Sequence, residues 1–396
     1  MSKKLKILFL PRWYPHRYDP MPGLFIQKQA EVISSFSEVS VLYVHEDPGC
    51  PDKFEIDIAE ENNVRVVRVY YKIPLVGLKP LNRWIKSYRF MKAYFLGFRM
   101  LRDFKPHLVH VHVLTRQGFV ALLYRIFTRT PYVITEHWSR YLPQNGTYKG
   151  FLRKWVSACV LKYASAAIAV SENLKRAMIS SGIHHRSFYV IGNPVDMEWF
   201  RILENERKMD NVKKRIIHIS CFEDKSKNIS GFLRIISRLV KNGLDFECRL
   251  IGDGPDWALL KNYSVEIGLS PGIVSFTGLK EQDVLVKEIN NADFLVLSSH
   301  YETFGSVIIE SLACGIPVVT FDVGIASEVI NITNGLIVGH DDESALEKAI
   351  TIMLDRCRDY DRSEIRKSVV EKYNCKVISD QLCQVYSKSV PAKKIN

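Results

Sequence analysis

Short apolar runs alternate with helical patterns from one end of the chain to the other. Runs at Lys6–Leu10, Val39–Val44, Val64–Tyr71, Leu108–Val113, Tyr132–Thr135, Ala166–Val170 and Ser187–Ile191 read as strands. After a break they resume at Arg215–Ser220, Glu247–Ile251, Ile273–Phe276, Phe294–Leu297, Pro317–Phe321 and Leu336–Val338. Several are unbroken, as in Phe294-Leu295-Val296-Leu297. An unbroken apolar run suits a parallel strand buried on both faces. Segments of helical period separate most of the runs, so the pattern predicts repeated βαβ units in α/β sheets.

The break falls near residues 197–214. Its segment Glu204–Asn211 is charged and has no core face, which predicts a linker or surface loop. Two domains follow, one over residues 1–200 and one over 212–374, each long enough for a doubly wound sheet. A last helix, about 375–390, carries apolar Val377, Ile378, Leu382, Val385 and Tyr386. It either closes the second domain or packs back on the first. No internal repeat is evident.

Composition changes this picture little: of 396 residues, 47% are apolar and 25% charged, which excludes a disordered chain. Charge changes it more. The formal net charge of +12 invites nucleic acid, an anionic membrane surface or an anionic small molecule. Residues 1–200 hold 29 basic and 15 acidic side chains, whereas residues 201–396 hold 26 and 28. All of the excess therefore sits in the first half. Eight cysteines are scattered singly, without zinc spacing, and suggest reduced thiols in the cytoplasm. The first residues lack the apolar core of a signal peptide, and no apolar run reaches roughly 18 residues.

The strongest chemical signal is Glu302-Thr303-Phe304-Gly305-Ser306-Val307-Ile308-Ile309-Glu310, between a buried strand and a helix. It places Glu302 in a loop and the N–H groups of Gly305, Ser306 and Val307 at a helix N-terminus. Such groups, with the helix dipole, suit phosphate, and Gly305 admits a ligand close to the backbone. Glu310, farther along the helix, is placed to accept hydrogen bonds from hydroxyl groups. An isolated pair of glutamates at this spacing is more often merely solvated. Here it lies at the C-terminal end of a strand, where open α/β sheets bind ligands.

This segment resembles the E-x(7)-E motif of retaining nucleotide-sugar glycosyltransferases of family 4, which have the GT-B fold. Further stretches resemble that family in order and spacing over roughly residues 6–355. They include Leu10-Pro11-Arg12-Trp13-Tyr14-Pro15, Pro22-Gly23-Leu24-Phe25, Val109-His110-Val111-His112, Thr135-Glu136-His137 and Val170-Ser171. Gly192-Asn193-Pro194-Val195-Asp196, Lys227-Asn228, Ile251-Gly252-Asp253-Gly254-Pro255, Phe276-Thr277-Gly278 and Gly315-Ile316-Pro317 continue the series.

The resemblance implies two Rossmann-like domains facing across a cleft, with acceptor on the first and nucleotide sugar on the second. It implies a retaining, metal-independent transferase. It would move a sugar from a UDP- or GDP-sugar to a glycan or lipid-linked acceptor in bacterial surface polysaccharide synthesis. By the same resemblance Glu310 binds the nucleotide ribose, and Glu302 lies near the donor sugar beside the Phe304 and Gly305 backbone. Lys227 pairs with the diphosphate, and His137 stands near the donor sugar and acceptor. Gly23, Gly254, Thr277, Gly278, Ser306 and Val307 complete the expected donor contacts. Retention in the family is explained by front-face attack, the diphosphate oxygen taking the acceptor proton, so no enzyme nucleophile is required; no cofactor and no metal are expected. The one Asp-x-Asp, Asp359-Tyr360-Asp361, stands apart from the other motifs. In one place the chain departs from the family: Cys221 stands where an arginine often accompanies the lysine.

Residues 69–105 hold nine basic side chains and one acid, Asp103. On a helical wheel Trp84, Tyr88, Phe90, Met91, Tyr94, Phe95, Phe98 and Leu101 share one arc, with Lys86, Arg89, Lys92 and Arg99 opposite. The apolar arc is expected to pack on the first sheet. The basic arc, or the Pro74–Pro80 loop, would then face anionic lipid, so residues 72–105 predict peripheral attachment to the inner membrane face. Three alternatives stand beside the leading reading. A nucleotide-sugar-binding, glycosyltransferase-like subunit with weak catalysis fits the Cys221 departure. A nucleic-acid-binding protein lacks a motif and has its basicity in one half only, so nucleic acid is not an expected partner. A nicotinamide-dependent dehydrogenase lacks a G-x-G-x-x-G after any strand.

Overall fold

A computed structural model describes residues 4–73, 79–203 and 213–391. The charged segment Glu204–Asn211 and residues 74–78 of the Pro74–Pro80 loop lie outside them.

The first half begins with β1 (Lys6–Pro11), α1 (Leu24–Ser34), β2 (Glu38–Glu46), β3 (Phe54–Glu61), β4 (Val64–Tyr71) and α2 (Lys79–Met100). It continues with β5 (Leu108–His112), α3 (Arg116–Thr128), β6 (Tyr132–Glu136), α4 (Phe151–Tyr163), β7 (Ala166–Ala169), α5 (Glu172–Ser180) and β8 (Phe188–Val190). These eight strands form one sheet in the order β3-β4-β2-β1-β5-β6-β7-β8. All pairs are parallel except β3 with β4. Alternate residues serve opposite layers. Leu8 and Leu10 join the core under α2, α3 and α4, while Ile7 and Phe9 join a second core under α1.

The second half runs β9 (Lys214–Ile219), α6 (Asp224–Lys227), α7 (Ile229–Lys241), β10 (Phe246–Ile251), α8 (Trp257–Glu266), β11 (Val274–Gly278) and α9 (Gln282–Asn290). Then come β12 (Phe294–Leu297), α10 (Ser306–Ala313), β13 (Val318–Phe321), α11 (Ala326–Val329), β14 (Gly335–Val338), α12 (Glu343–Arg356), α13 (Arg362–Tyr373) and α14 (Cys375–Ser389). Its sheet, all parallel, has the order β11-β10-β9-β12-β13-β14. Both sheets are doubly wound, and the parallel winding of each reverses direction between β1 and β5 and between β9 and β12. Crevices open at such reversals.

α14 packs on the first domain. Ile378, Leu382, Val385 and Tyr386 complete the core under α1, and the Tyr386 hydroxyl lies 2.7 Å from His110 Nδ1. Where the chain leaves and re-enters that domain, Val195 N–H donates to the Tyr373 carbonyl at 2.9 Å, and Val195 bridges Asn374.

Two features depart from the sequence reading. The strand β3 was not foreseen, because its acidic run FEIDIAEE masks the alternation of Phe54, Ile56 and Ile58. It is an edge strand, and its acids engage a neighbour: Glu61 and Asp57 face Arg68 of β4. The wheel of α2 is also corrected. Tyr94 and Leu101 are buried, but Trp84, Tyr88 and Phe95 are 66%, 52% and 68% exposed. At about 100° per residue they fall roughly a quarter turn from Tyr94, on one stripe with Lys92 and Arg99. Aromatic and basic side chains therefore share a solvent face instead of occupying opposite arcs.

Candidate functional site

In the second domain the site forms where β9 and β12 diverge. Lys227 ends α6, and Asn228 follows in the left-handed conformation (φ 50°), turning the chain into α7. Ser298, just after β12, donates to the carbonyls of Lys227 and Asn228 at 3.0 and 3.2 Å. The two loops are thereby tied together. Lys227 Nζ meets Glu302 Oε1 at 2.5 Å, and Ser299 Oγ donates to the same oxygen at 2.9 Å. Burial alone would lower the lysine's pKa, but the Glu302 carboxylate beside it raises it above the ordinary value, so Lys227 is a cation.

Past Glu302 the loop is anchored from below. The Phe304 side chain is buried, and its carbonyl accepts from Ile325 N–H at 2.9 Å. Phe304 is thus a packing anchor, with only its backbone near the loop surface. Gly305 (φ 85°) caps α10, leaving the first-turn N–H groups of Ser306 and Val307 without helical acceptors. Glu310 follows one turn later. Burial pushes its carboxyl up to about 7.

Thr277 and Gly278 end β11, at the outer side of the same crevice. Thr277 Oγ1 donates to the Leu250 carbonyl at 3.3 Å, and Gly278 has φ 74° with open space around it. Gly254 has another duty. A Cβ there would lie 2.5 Å from Phe222 N, because the loop after β10 is pressed against the loop after β9. Phe222 N–H donates to the Asp253 carbonyl and Asp256 N–H to the Phe222 carbonyl, both at 2.9 Å. Cys221 stands on this second loop, where desolvation of its thiol raises the pKa and the Lys227 charge opposes that rise.

On the first domain the facing crevice lies between β1 and β5. Gly23 (φ 73°) closes the loop after β1, its α-carbon packed on the Trp13 backbone. Phe25, in the first turn of α1, then lies 4.7 Å from the ring of His137. His137 Nε2 is 3.1 Å from His112 Nδ1. Burial pulls His137 down to about 3, so the imidazole is neutral at physiological pH and acts as a fixed donor or acceptor.

Sequence reasoning assigned no role to Glu136. Its carboxylate accepts from the N–H groups of Leu114, His137 and Trp138 at 3.0, 2.9 and 2.8 Å, fixing the backbone on which His137 is mounted. A buried carboxylate at a strand's last position was the available signal. Ser171 was also missed as a contact between domains. It caps α5, accepting from Leu174 N–H, and donates to the Thr303 carbonyl at 2.6 Å. Among the described residues no three His, Cys, Asp or Glu side chains converge as metal ligands. Asp361 of the Asp-x-Asp instead caps α13, accepting from Ser363 and Glu364 N–H.

Comparison with known proteins bears on this geometry. Residues 38–199 match the family model described as Glycosyltransferase Family 4, and residues 213–356 match the one described as Glycosyl transferases group 1. The putative teichuronic acid biosynthesis glycosyltransferase TuaC of Bacillus subtilis is 24% identical, over 88% of each chain. Among solved structures, sucrose-phosphate synthase from Thermosynechococcus elongatus superposes with a TM-score of 0.76 at 19% identity, covering 97% of this chain and 99% of that one. HepE from Anabaena, solved with UDP and glucose, gives 0.71 at 18% identity over 97% and 99%. These likenesses show one fold, two Rossmann-like domains across a cleft.

Proposed function

Since the chain belongs to glycosyltransferase family 4 and has the GT-B fold, we propose that it is a retaining transferase. Its donor is a UDP- or GDP-sugar, and its acceptor is a glycan or lipid-linked saccharide of a bacterial surface polysaccharide. The observation that carries this reading is the Lys227–Glu302 pair beside the open N-terminus of α10. A largely buried cation and free N–H groups together offer a nucleoside diphosphate its two strongest kinds of contact. Glu310 accepts the ribose hydroxyls, and His137, held neutral, donates to the sugar from the opposite wall. As the glycosidic bond breaks, negative charge gathers on the leaving diphosphate, where Lys227 and the helix end stabilise it. The diphosphate oxygen takes the acceptor proton, and no resident metal is assigned.

A thermal-shift screen tests the donor site. UDP or GDP at a hundred times its dissociation constant stabilises the chain by about 2.7 kcal/mol, while NAD gives no shift. Glu310 gives this a pH signature. Its carboxyl titrates at 4.5 when unfolded and at about 7 when folded, so the folded state binds the proton more tightly. Stability is therefore lost as pH rises between those values, and nucleotide affinity rises as pH passes about 7 and the carboxylate ionises. Glu310→Gln flattens both curves. A screen with no nucleoside diphosphate shift defeats the reading.

The acceptor side supports a membrane setting. No helix among the described residues is long and apolar enough to cross a bilayer. Helices α2, α3 and α4, however, contain eleven Lys or Arg and no Asp or Glu. They carry eight of the eleven exposed aromatic side chains among the described residues, including Trp84, Phe127, Phe151 and Trp155. At the C-terminal ends of α3 and α4 a cavity of about 380 Å³ gathers Arg125, Lys162, Arg186 and Lys388. Aromatic side chains mixed with cations suit an anionic headgroup layer on the cytoplasmic side of the membrane. The protein is expected to float with phosphatidylglycerol vesicles at low salt and to stay behind with phosphatidylcholine alone. Phe127→Ser with Trp155→Ser weakens flotation at least about tenfold. Equal recovery with both lipids removes the membrane assignment.

A further inference from the structure

Two arginines on the first domain's wall of the cleft, with a third beside them, lack the acceptors that satisfy the buried Arg68 and the half-buried Arg366. Arg12 follows β1, and Arg140 lies in a short turn after β6, three residues beyond His137. Both guanidinium groups stand over the ring of Trp138, at 3.9 Å for Arg12 and 3.1 Å for Arg140. Arg140 is only 8% exposed, and the Nε atoms of both arginines are buried without an acceptor. Arg116, at the start of α3, adds its repulsion to Arg12, as Arg153 does to Arg140.

Arg68 is satisfied by Glu61 and the Pro15 carbonyl. Arg366 donates to the carbonyls of Phe200, Ala313 and Met197. Arg12, Arg116 and Arg140 have no ion pair among the described residues. The charge of Glu136 favours both Arg12 and Arg140, but it forms no ion pair with either, and three backbone N–H groups already occupy its carboxylate. Holding desolvated like charges together costs free energy unless an anion joins them. Stacking on an indole fixes each guanidinium plane and leaves edge N–H groups able to bind oxygen in pairs.

We propose that Arg12 and Arg140, mounted on Trp138 and aided by Arg116, form a subsite for a phosphate-class anion beside His137. It deepens the reading above and rests on it for the identity of the cleft. Phosphate oxygens can reach it from two sources: a phosphorylated acceptor bound to the first domain, or the donor's diphosphate reached across the cleft. The second source would supply the cation that Cys221 does not.

Calorimetry on the full chain separates these. In one arm inorganic pyrophosphate is titrated into protein saturated with UDP; in the other UDP is titrated alone. Arg12→Gln and Arg140→Gln are each expected to weaken one of the two titrations about tenfold or more. Loss confined to pyrophosphate identifies the acceptor's phosphate as the source, and loss confined to UDP identifies the donor's. Arg116→Gln, an exposed position, guards against a folding artefact and is expected to weaken the same titration more mildly. Arg140→Lys keeps the charge without the planar stack and falls between wild type and Arg140→Gln. Variants that melt like wild type and match it in both arms overturn the subsite. Wild-type protein that binds no UDP defeats the donor reading instead, and pyrophosphate titrated without nucleotide still tests the arginines.

Discussion

Lys227→Ala lowers sugar transfer, or donor hydrolysis without acceptor, by about a thousandfold, because it removes a preorganised charge from the leaving diphosphate in a site shielded from water. The structure supplies a way to tell this from simple damage. Lys227 and Glu302 are 15% and 13% exposed at their side chains, so deleting the lysine strands a largely buried carboxylate. Breaking such a pair costs about 3–5 kcal/mol where it is fully buried, and less here. A stranded carboxylate would also repel the diphosphate. The double variant Lys227→Ala with Glu302→Gln removes that repulsion. If the lysine stabilises the transition state, the double variant stays inactive although its thermal stability recovers. Recovery of turnover to within tenfold of wild type would show that Lys227 serves only to neutralise Glu302. The readout is single-turnover release of nucleoside diphosphate by purified protein.

Gly23→Ala is expected to cost the first domain about 2–4 kcal/mol, the sum of a left-handed residue's penalty and overpacking. A Cβ at that position would stand 2.1 Å from the Trp13 carbonyl oxygen and 2.7 Å from Tyr14 N, both backbone atoms that cannot swing aside. The displaced α1 carries Phe25 away from His137, so turnover falls with stability. Gly268→Ala is the matched control. It has φ 85° with nothing within 4 Å of the added carbon, and it should lose only about 1 kcal/mol. Thermal melting of the two variants separates the steric part from the conformational part. Equal losses would mean that the loop after β1 yields, and that Gly23 does not set the position of α1.

Much of this was legible in the chain. The unbroken apolar runs named the parallel strands, since burial on both faces leaves no polar alternation to misread. The E-x(7)-E segment located the loop and helix end, because a glycine between a strand and an apolar helix has few other uses. What stayed hidden depends on distance across the fold. Nothing local to Glu302 announces that its partner is Lys227, 75 positions earlier. Nothing in Thr135-Glu136-His137 shows that the glutamate holds three N–H groups, or that His112 backs the histidine. On α2 the wheel placed every aromatic in the core. A helix lying on a sheet buries one narrow face, and Ala93 and Gly97 fill it as fully as Tyr94 does.

The pairing of Val195 with Asn374 has a mechanical consequence. The polypeptide crosses between the domains twice, outward near residue 195 and back at 374, and the two crossings are bonded side by side. Adjacent crossings behave as the pin of a door. They permit one domain to swing about a single line and resist twisting or sliding. Arg366 stiffens the C-domain end of that pin by gripping the carbonyls of Met197 and Phe200 from α13. The Ser171–Thr303 bond lies where the leaves of the door meet. A swing about the pin would break or remake that bond at the Glu302 loop together with two others between the domains, Glu172 N–H to Glu328 and Gln144 to His340, so donor arrival at the loop and closure of the cleft are expected to be coupled.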